Sequence, residues 1–215
     1  MRVSFFGSVL SGKTTHADIL VDKYGFTKLS FATEIKEVGK IMLGREINKM
    51  TDRFFLIQLG DVMRGKGSTP DLHLWVCKNT KMKCYFEDNQ QNFTQLFWYA
   101  MEKRNLQNIP LTDDFFVKWM ETQIETNRDI VVDDLRFTKE YDMLNTNGFK
   151  FIYLTCPKSV IHRRAIQRDG GFDISVYNEP SENIHKNFDY NYGINTDYNL
   201  DYTADSIAAF LGLEG

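Results

Sequence analysis

The sequence has no apolar run approaching the roughly 20 residues that a membrane helix requires, so the chain is expected to work in solution. It has little cysteine. Cys77, Cys84 and Cys156 are odd in number and show no C-x-x-C spacing, which leaves no basis for a disulfide framework or a zinc ribbon. A reducing interior follows as the simpler expectation. There is no excess of positive charge: 26 Lys and Arg stand against 29 Asp and Glu, a net charge of −3. That balance argues against a sequence-independent nucleic-acid binder, while a local basic groove stays compatible with it. Internal repeats and low-complexity tracts are missing. The opening residues, Met-Arg-Val-Ser-Phe-Phe-Gly, run straight into an apolar segment and leave no room for a signal peptide, so the cytoplasm is the expected location.

What is present is an ordinary globular composition, 42% hydrophobic and 26% charged over 215 residues. That length suffices for one α/β domain with a lid or an insertion. Its most informative stretch is Gly7 to Thr14, G-S-V-L-S-G-K-T, a complete G-x-x-x-x-G-K-[ST] loop. Before it, Val3-Ser4-Phe5-Phe6 reads as a buried parallel strand, and after it Lys13 to Tyr24 has helical apolar spacing through Ala17, Leu20 and Tyr24. A glycine-rich turn between strand and helix aims successive backbone N–H groups at phosphate oxygens, and the helix N-terminus adds partial positive charge there. The expected triphosphate cradle is therefore Gly7, Ser8, Val9, Leu10, Ser11, Gly12, Lys13, Thr14 and Thr15. Lys13 would reach the β- and γ-phosphates of ATP, and the Thr14 hydroxyl would meet Mg²⁺.

Beyond the loop the pattern alternates strands with helices, as in a parallel sheet covered on both faces. Strands are expected at Thr27–Phe31, Ile130–Val132, Phe149–Leu154 and Gly193–Asn195. Helices are expected at Ala32–Leu43, stopped by Gly44, at Arg53–Met63, at Lys139–Asn147, stopped by Gly148, in a segment opened by Pro157 and carrying His162 to Arg168, and at Ala204–Leu211. The segment from about Lys78 to Pro110 fits least well. It is polar and aromatic (Tyr85, Phe86, Phe93, Phe97, Trp98, Tyr99) and reads as an inserted helical element or hairpin. Its aromatics suit a local core or a subunit contact in a homodimer better than a base-stacking platform.

The loop alone serves kinases, ATPases, GTPases and motors. A GTPase would carry N-K-x-D, which is absent, and a motor would be longer. Asp133 and Asp134 end a hydrophobic strand, where ligands gather in open parallel sheets, and Asp133 is the candidate to hold Mg²⁺ through water. Arg136 and Glu140 follow at the same strand end. Arg grips a phosphate bidentately, whereas an Arg–Glu surface pair would be worth little. Arg164 and Arg168 share a helix face and could close over the transferred phosphoryl group, the alternative being a solvated basic face. His16, His73, His162 and His185 need no catalytic role.

With these pieces in order, the chain resembles the deoxynucleoside monophosphate kinases of tailed bacteriophages, within the nucleoside monophosphate kinase group. Ser30–Glu37 (S-F-A-T-E-I-K-E) is similar to that family's F-A-D-x-(L/I)-K segment, and Arg53–Arg64 (R-F-F-L-I-Q-L-G-D-V-M-R) to its L-Q-x-L-G-x-D-x-x-R stretch, followed by Leu74-Trp75. Val131–Glu140 (V-V-D-D-L-R-F-T-K-E) looks like its D-x-R-F-x-x-E motif, and Pro180-Ser181-Glu182 with Asn195 and Asp197 resembles its closing pieces. Two departures stand out: Thr14 replaces an Asp common in relatives, and Glu179-Pro180-Ser181-Glu182 lacks the usual His.

The resemblance implies a doubly wound parallel sheet of about five strands in one domain over 1–215, with a helical lid at about 158–190 and an insertion or acceptor-binding subregion at about 44–118. It implies transfer of the γ-phosphoryl of ATP, with Mg²⁺, to a deoxynucleoside 5′-monophosphate. It places Asp134, Arg136 and Glu140 near the acceptor, Arg64 on its phosphate and Trp75 by its base, with Phe116 a rival for that aromatic position. The rival activity is a kinase acting on a hydroxyl, of a deoxynucleoside or a hydroxymethylated base in DNA, with Asp133 or Asp134 as base. A different class is a regulator that binds ATP without transferring its phosphate. Small-molecule partners, no membrane and a cytoplasmic location (the host's, for a viral protein) complete the expectation.

Overall fold

Strand β1 (Arg2–Gly7) is buried along almost its whole length, as its apolar run requires of a strand covered on both faces. The computed structural model describes residues 1–48, 51–79, 90–124, 129–169 and 188–213. After β1 come α1 (Lys13–Tyr24), β2 (Thr27–Leu29), α2 (Thr33–Leu43), α3 (Arg53–Met63), α4 (Thr69–Asn79), α5 (Gln90–Lys103) and α6 (Phe115–Gln123). Then follow β3 (Ile130–Val132), α7 (Thr138–Thr146), β4 (Lys150–Thr155), α8 (Lys158–Asp169), β5 (Tyr192–Asn195) and α9 (Leu200–Leu211).

The chain forms two compact units, Met1–Ser30 with Gln123–Gly215, and Phe31–Thr122. The first carries a five-stranded parallel sheet in the order β2-β3-β1-β4-β5. Alternation along β1 sends successive side chains to opposite faces. Val3 and Phe5 join Val131, Ile152, Leu154 and Ile194 in a core completed by Ala17 and Leu20 of α1 and Ile207 and Leu211 of α9. Phe6 turns the other way, into an aromatic layer. Its ring lies 5.1 Å from that of Tyr153 and 5.8 Å from that of Phe188, and Tyr141 of α7 stacks on Phe188 at 4.7 Å. Helices thus cover both faces, and the α/β class with a doubly wound parallel sheet is the observed one.

Helix ends follow the glycines. At Gly148 (φ 72°) the N–H of Gly148 bonds the Asn145 carbonyl and that of Phe149 bonds the Leu144 carbonyl, closing α7 with a left-handed glycine. Gly212 ends α9 the same way, through the carbonyls of Ala209 and Ala208. At the other end of α9, the Asn199 side chain accepts from the Asp201 N–H, so this helix starts before the expected Ala204.

Every regular element described in the second unit is a helix, α2 to α6. Phe55, Leu59, Met63, Leu72, Phe93, Phe97 and Met101 fill its core. Buried Glu34 of α2 takes a two-pronged ion pair from Arg104, just past α5, with both N···O distances 2.8 Å. Arg45 grips Asp52 in the same fashion at 2.7 Å twice, and that guanidinium holds the Asp52 carboxyl below its usual range. Phe93 and Phe97 are local core, while Trp98 and Tyr99 stay exposed. Tyr85 and Phe86 lie outside the described residues. Among the described residues no helix is long and apolar enough to cross a membrane.

Candidate functional site

The connection leaving β1 leads toward the β2 rim and the one leaving β4 leads toward the β5 rim. Their carboxyl ends therefore diverge at neighbouring strands, the place where open parallel sheets leave a crevice for ligands. The Gly7–Thr14 loop begins there. Gly7 has φ 138°, and a Cβ on it would stand 2.2 Å from the carbonyl oxygen of Leu154, its register partner on β4. Only glycine fits that approach. Leu10 (φ 59°) and Gly12 (φ 90°) also take left-handed backbone, and such conformations in a non-glycine residue mark loops shaped for a task. The Lys13 ammonium donates to the carbonyls of Gly7 at 2.8 Å and Ser8 at 2.7 Å, arching across the loop. Helix α1 opens at Lys13 with no acidic residue in its first turn, so its first N–H groups and dipole favour an anion. The Ser11 hydroxyl is fully buried with no hydrogen-bond partner among the described residues.

Two side chains hold the loop from outside. His16, buried on α1, has Nδ1 at 2.9 Å from the Gly12 carbonyl and Nε2 at 2.9 Å from the Thr203 hydroxyl of α9. Burial pushes the imidazole below its ordinary pKa of 6.5, the Gly12 hydrogen bond opposes that, and the positive charge of Arg164 adds to it. Arg164 donates from Nη1 to the Leu10 carbonyl at 2.9 Å and from Nη2 to the Thr196 carbonyl at 2.5 Å. Read from sequence as a lid residue, its guanidinium here braces the loop against the end of β5. The side chain of Arg168, residues 180–182 and His185 lie outside the described residues.

At the end of β3, buried Asp133 pairs with Lys28 of β2 at 3.1 Å, and Lys28 also reaches Asp18 of α1 at 2.8 Å. Burial lowers the Lys28 ammonium, but its two carboxylate partners outweigh that and raise it above its ordinary value. Asp134 accepts the Ser30 hydroxyl at 2.6 Å. Arg136 is exposed. Glu140, which the resemblance assigns to the acceptor, is buried, and its Oε2 accepts the backbone N–H groups of Arg136 (2.9 Å) and Phe137 (3.1 Å). It therefore caps its own helix and fixes the Arg136 backbone.

In the second unit, the Arg64 guanidinium lies 4.6 Å from the Phe116 ring centroid. Phe116 is buried under it, while Trp75 on α4 is half-buried. His73 is buried beside the Cys77 sulfur at 3.3 Å, and His162 is exposed. Sequence reading missed His16, Thr196 and Thr203 as site residues. His16 and Thr203 are 187 positions apart, so no local spacing could join them.

The loop fits a polyphosphate: a glycine cradle that a Cβ would fill, a lysine across it and a buried unpartnered hydroxyl beside it. For Mg²⁺ the donors are hard oxygens, Thr14 in the first turn and the carboxylates at the end of β3. Among the described residues no group of three or more His, Cys, Asp or Glu could hold a metal. Mg²⁺ suits so sparse a set, because it keeps several waters and binds through substrate phosphates.

No protein-family model matches the chain, and no curated protein matches it. Among the solved structures similar to it along its length are two kinases. A sugar kinase from Janibacter sp. HTCC2649, in unliganded form, has TM-score 0.48 and 14% identity, covering 98% of this chain and 94% of that one. A gluconokinase from Sinorhizobium meliloti 1021 has TM-score 0.48 and 11% identity, covering 98% and 91%. At such scores and identities the likeness assigns no activity to this chain.

Proposed function

We propose that the chain is a phosphotransferase that uses ATP, and more specifically a kinase that moves the γ-phosphoryl group to a deoxynucleoside 5′-monophosphate. The observation that carries the donor half is the loop itself: Lys13 drawn across the carbonyls of Gly7 and Ser8 at the divergence point of the sheet. Support for the acceptor half is the resemblance of the Arg53–Arg64 and Val131–Glu140 segments to phage deoxynucleoside monophosphate kinases.

In this reading the loop amides and Lys13 hold the triphosphate. Mg²⁺, when bound, offsets charge on its oxygens, with the Thr14 hydroxyl and a water-bridged Asp133 as the residues that would hold it. Arg64 and Arg136 pair with the acceptor phosphate, and Arg168 serves as the lid cation, since Arg164 is engaged with the loop. Trp75 suits the acceptor base better than Phe116, whose face is taken by Arg64. Asp134 lies by the acceptor, and Glu140 acts on it through the Arg136 backbone.

The bond between the γ-phosphorus and the bridging oxygen breaks, and one forms to an acceptor phosphate oxygen. ADP takes up the electron pair. Because the acceptor is already an anion, the protein needs alignment and charge stabilisation, with no general base. Exclusion of water keeps it from competing as acceptor.

The test is ADP release with deoxynucleoside monophosphates, deoxynucleosides and hydroxymethylated DNA side by side. Monophosphate-dependent release is the expected result. Transfer confined to the hydroxyl-bearing substrates rejects the acceptor, and ATP binding without acceptor-dependent release points to a regulator.

A further inference from the structure

A loop that aims N–H groups at an anion must turn its carbonyls away, because C=O of one residue and N–H of the next point in opposite directions across a trans peptide. Those outward carbonyls need donors of their own when buried. Among the described residues, donors reach the loop carbonyls of Gly7, Ser8, Leu10 and Gly12. Gly7 and Ser8 share the Lys13 ammonium, and that donor belongs to the loop. The other two draw on side chains joined to one distant segment. The Leu10 carbonyl takes Arg164 Nη1, whose guanidinium is itself held by the Thr196 carbonyl at 2.5 Å. The Gly12 carbonyl takes His16 Nδ1 beside the His16 amide, and Nε2 of the same ring meets Thr203. Buried Thr196 is fastened in turn, its N–H and hydroxyl both donating to the Thr155 carbonyl of β4. Leu10 needs such a clamp most, since an L-residue at φ 59° relaxes unless its surroundings over-determine it.

We propose that Arg164 and His16 are positioning residues for the phosphate loop, each tying one loop carbonyl to the Thr196–Thr203 segment that ends β5 and opens α9. Arg164 acts through Leu10 and touches no nucleotide; His16 acts through Gly12 and takes no proton from a substrate. The Gly12 peptide also carries the Lys13 N–H, so the His16 contact sets the direction of an amide at the mouth of α1. This inference rests on the loop being a triphosphate site, and its first readout is independent of that reading.

The experiment compares wild type with Arg164→Lys, Arg164→Ala, His16→Gln and Thr203→Val, first by amide hydrogen exchange without nucleotide. Each variant is expected to speed exchange about tenfold in the Phe6–Thr15 peptide, the scale of one lost hydrogen bond, while α7 exchanges as in wild type. Binding of MgATP, followed by calorimetry, is expected to weaken about tenfold with it. Thr203→Val keeps shape and removes only the hydroxyl, so it decides the matter should the arginine variants fail to fold. Unchanged loop exchange in Arg164→Lys and Thr203→Val overturns the inference. Weaker MgATP binding by Arg164→Ala with unchanged loop exchange also overturns it, since the arginine would then meet the nucleotide directly. Faster loop exchange in a protein whose wild type binds no triphosphate leaves the positioning in place and removes the proposed function instead.

Discussion

The two units of the chain are held by different kinds of contact. In the sheet unit, apolar alternation on β1 and β4 and glycines at fixed backbone positions decide the structure, and buried Asp133 meets Lys28 where β3 ends. In the helical unit, ion pairs add to the apolar core, and one of them, Glu34 with Arg104, joins α2 to the end of α5 across 70 positions, while Arg45 and Asp52 pair across seven. A unit built on alternation and glycine can be read from local sequence. A long-range ion pair cannot, because nothing near Glu34 marks Arg104 as its partner.

The largest effect should come from Gly7→Ala. A methyl 2.2 Å from the Leu154 oxygen at φ 138° forces β1 away from β4. A cost of about 3 kcal/mol or more is expected in denaturant unfolding, from backbone strain and overpacking together. Helical-unit amides should keep their protection. Lys13→Ala should cost about 1–3 kcal/mol, since the Gly7 and Ser8 carbonyls lose a charged donor, and lower turnover by about 10²-fold, the scale for removing one charge-stabilising donor. Near-normal steady-state phosphoryl transfer by that variant would remove the proposed mechanism's central residue.

On the other side of the comparison, Glu34→Gln should cost about 2 kcal/mol. That is below the 3–5 kcal/mol of a fully buried pair because Arg104 is partly exposed. Thermal unfolding followed by tryptophan fluorescence would register it, since all three tryptophans lie in residues 31–122. Arg136→Ala should raise the acceptor KM roughly tenfold, as expected for a lost charged hydrogen bond, and leave the ATP KM nearly unchanged. The reverse ranking would move Arg136 to the other nucleotide.

The mildest contrast is in pH. His16 has a folded pKa below its ordinary 6.5, so below that pH the unfolded chain binds more protons than the folded one. Stability from this site is full above 6.5 and declines as pH falls toward the folded value. Asp52 is held below its ordinary 3.8 by Arg45, so its contribution persists above 3.8 and declines only beneath it. Amide protection should weaken first in α1, between pH 7 and 5, and His16→Gln should abolish that early loss. Equal weakening around Asp52 in the same window would contradict the assignment.

The strand, loop and helix at Arg2–Tyr24 and the stop at Gly148 were legible because they are local patterns. Other features escaped the sequence for physical reasons. In the helical unit α2 packs with α5, a contact invisible to periodicity. Helices α4 and α6 went unread, their apolar spacing being mixed. Arg164 was taken for a lid residue because its spacing from Arg168 suggests a shared face, whereas its acceptor, the Leu10 carbonyl, lies 154 positions away. Glu140 stands three residues after Phe137, a helix-capping offset, but without the Ser or Thr that normally announces one.

The middle position of β1 in the sheet has a further consequence. With β3 hydrogen-bonded on one flank and β4 on the other, this strand can detach only when most of the sheet comes apart. The rim beside β2 can breathe at far lower cost. The Gly7–Thr14 loop hangs from the last piece of the protein to let go, so mild heating should wear away the periphery while the proposed grip on phosphate survives almost to the melting point.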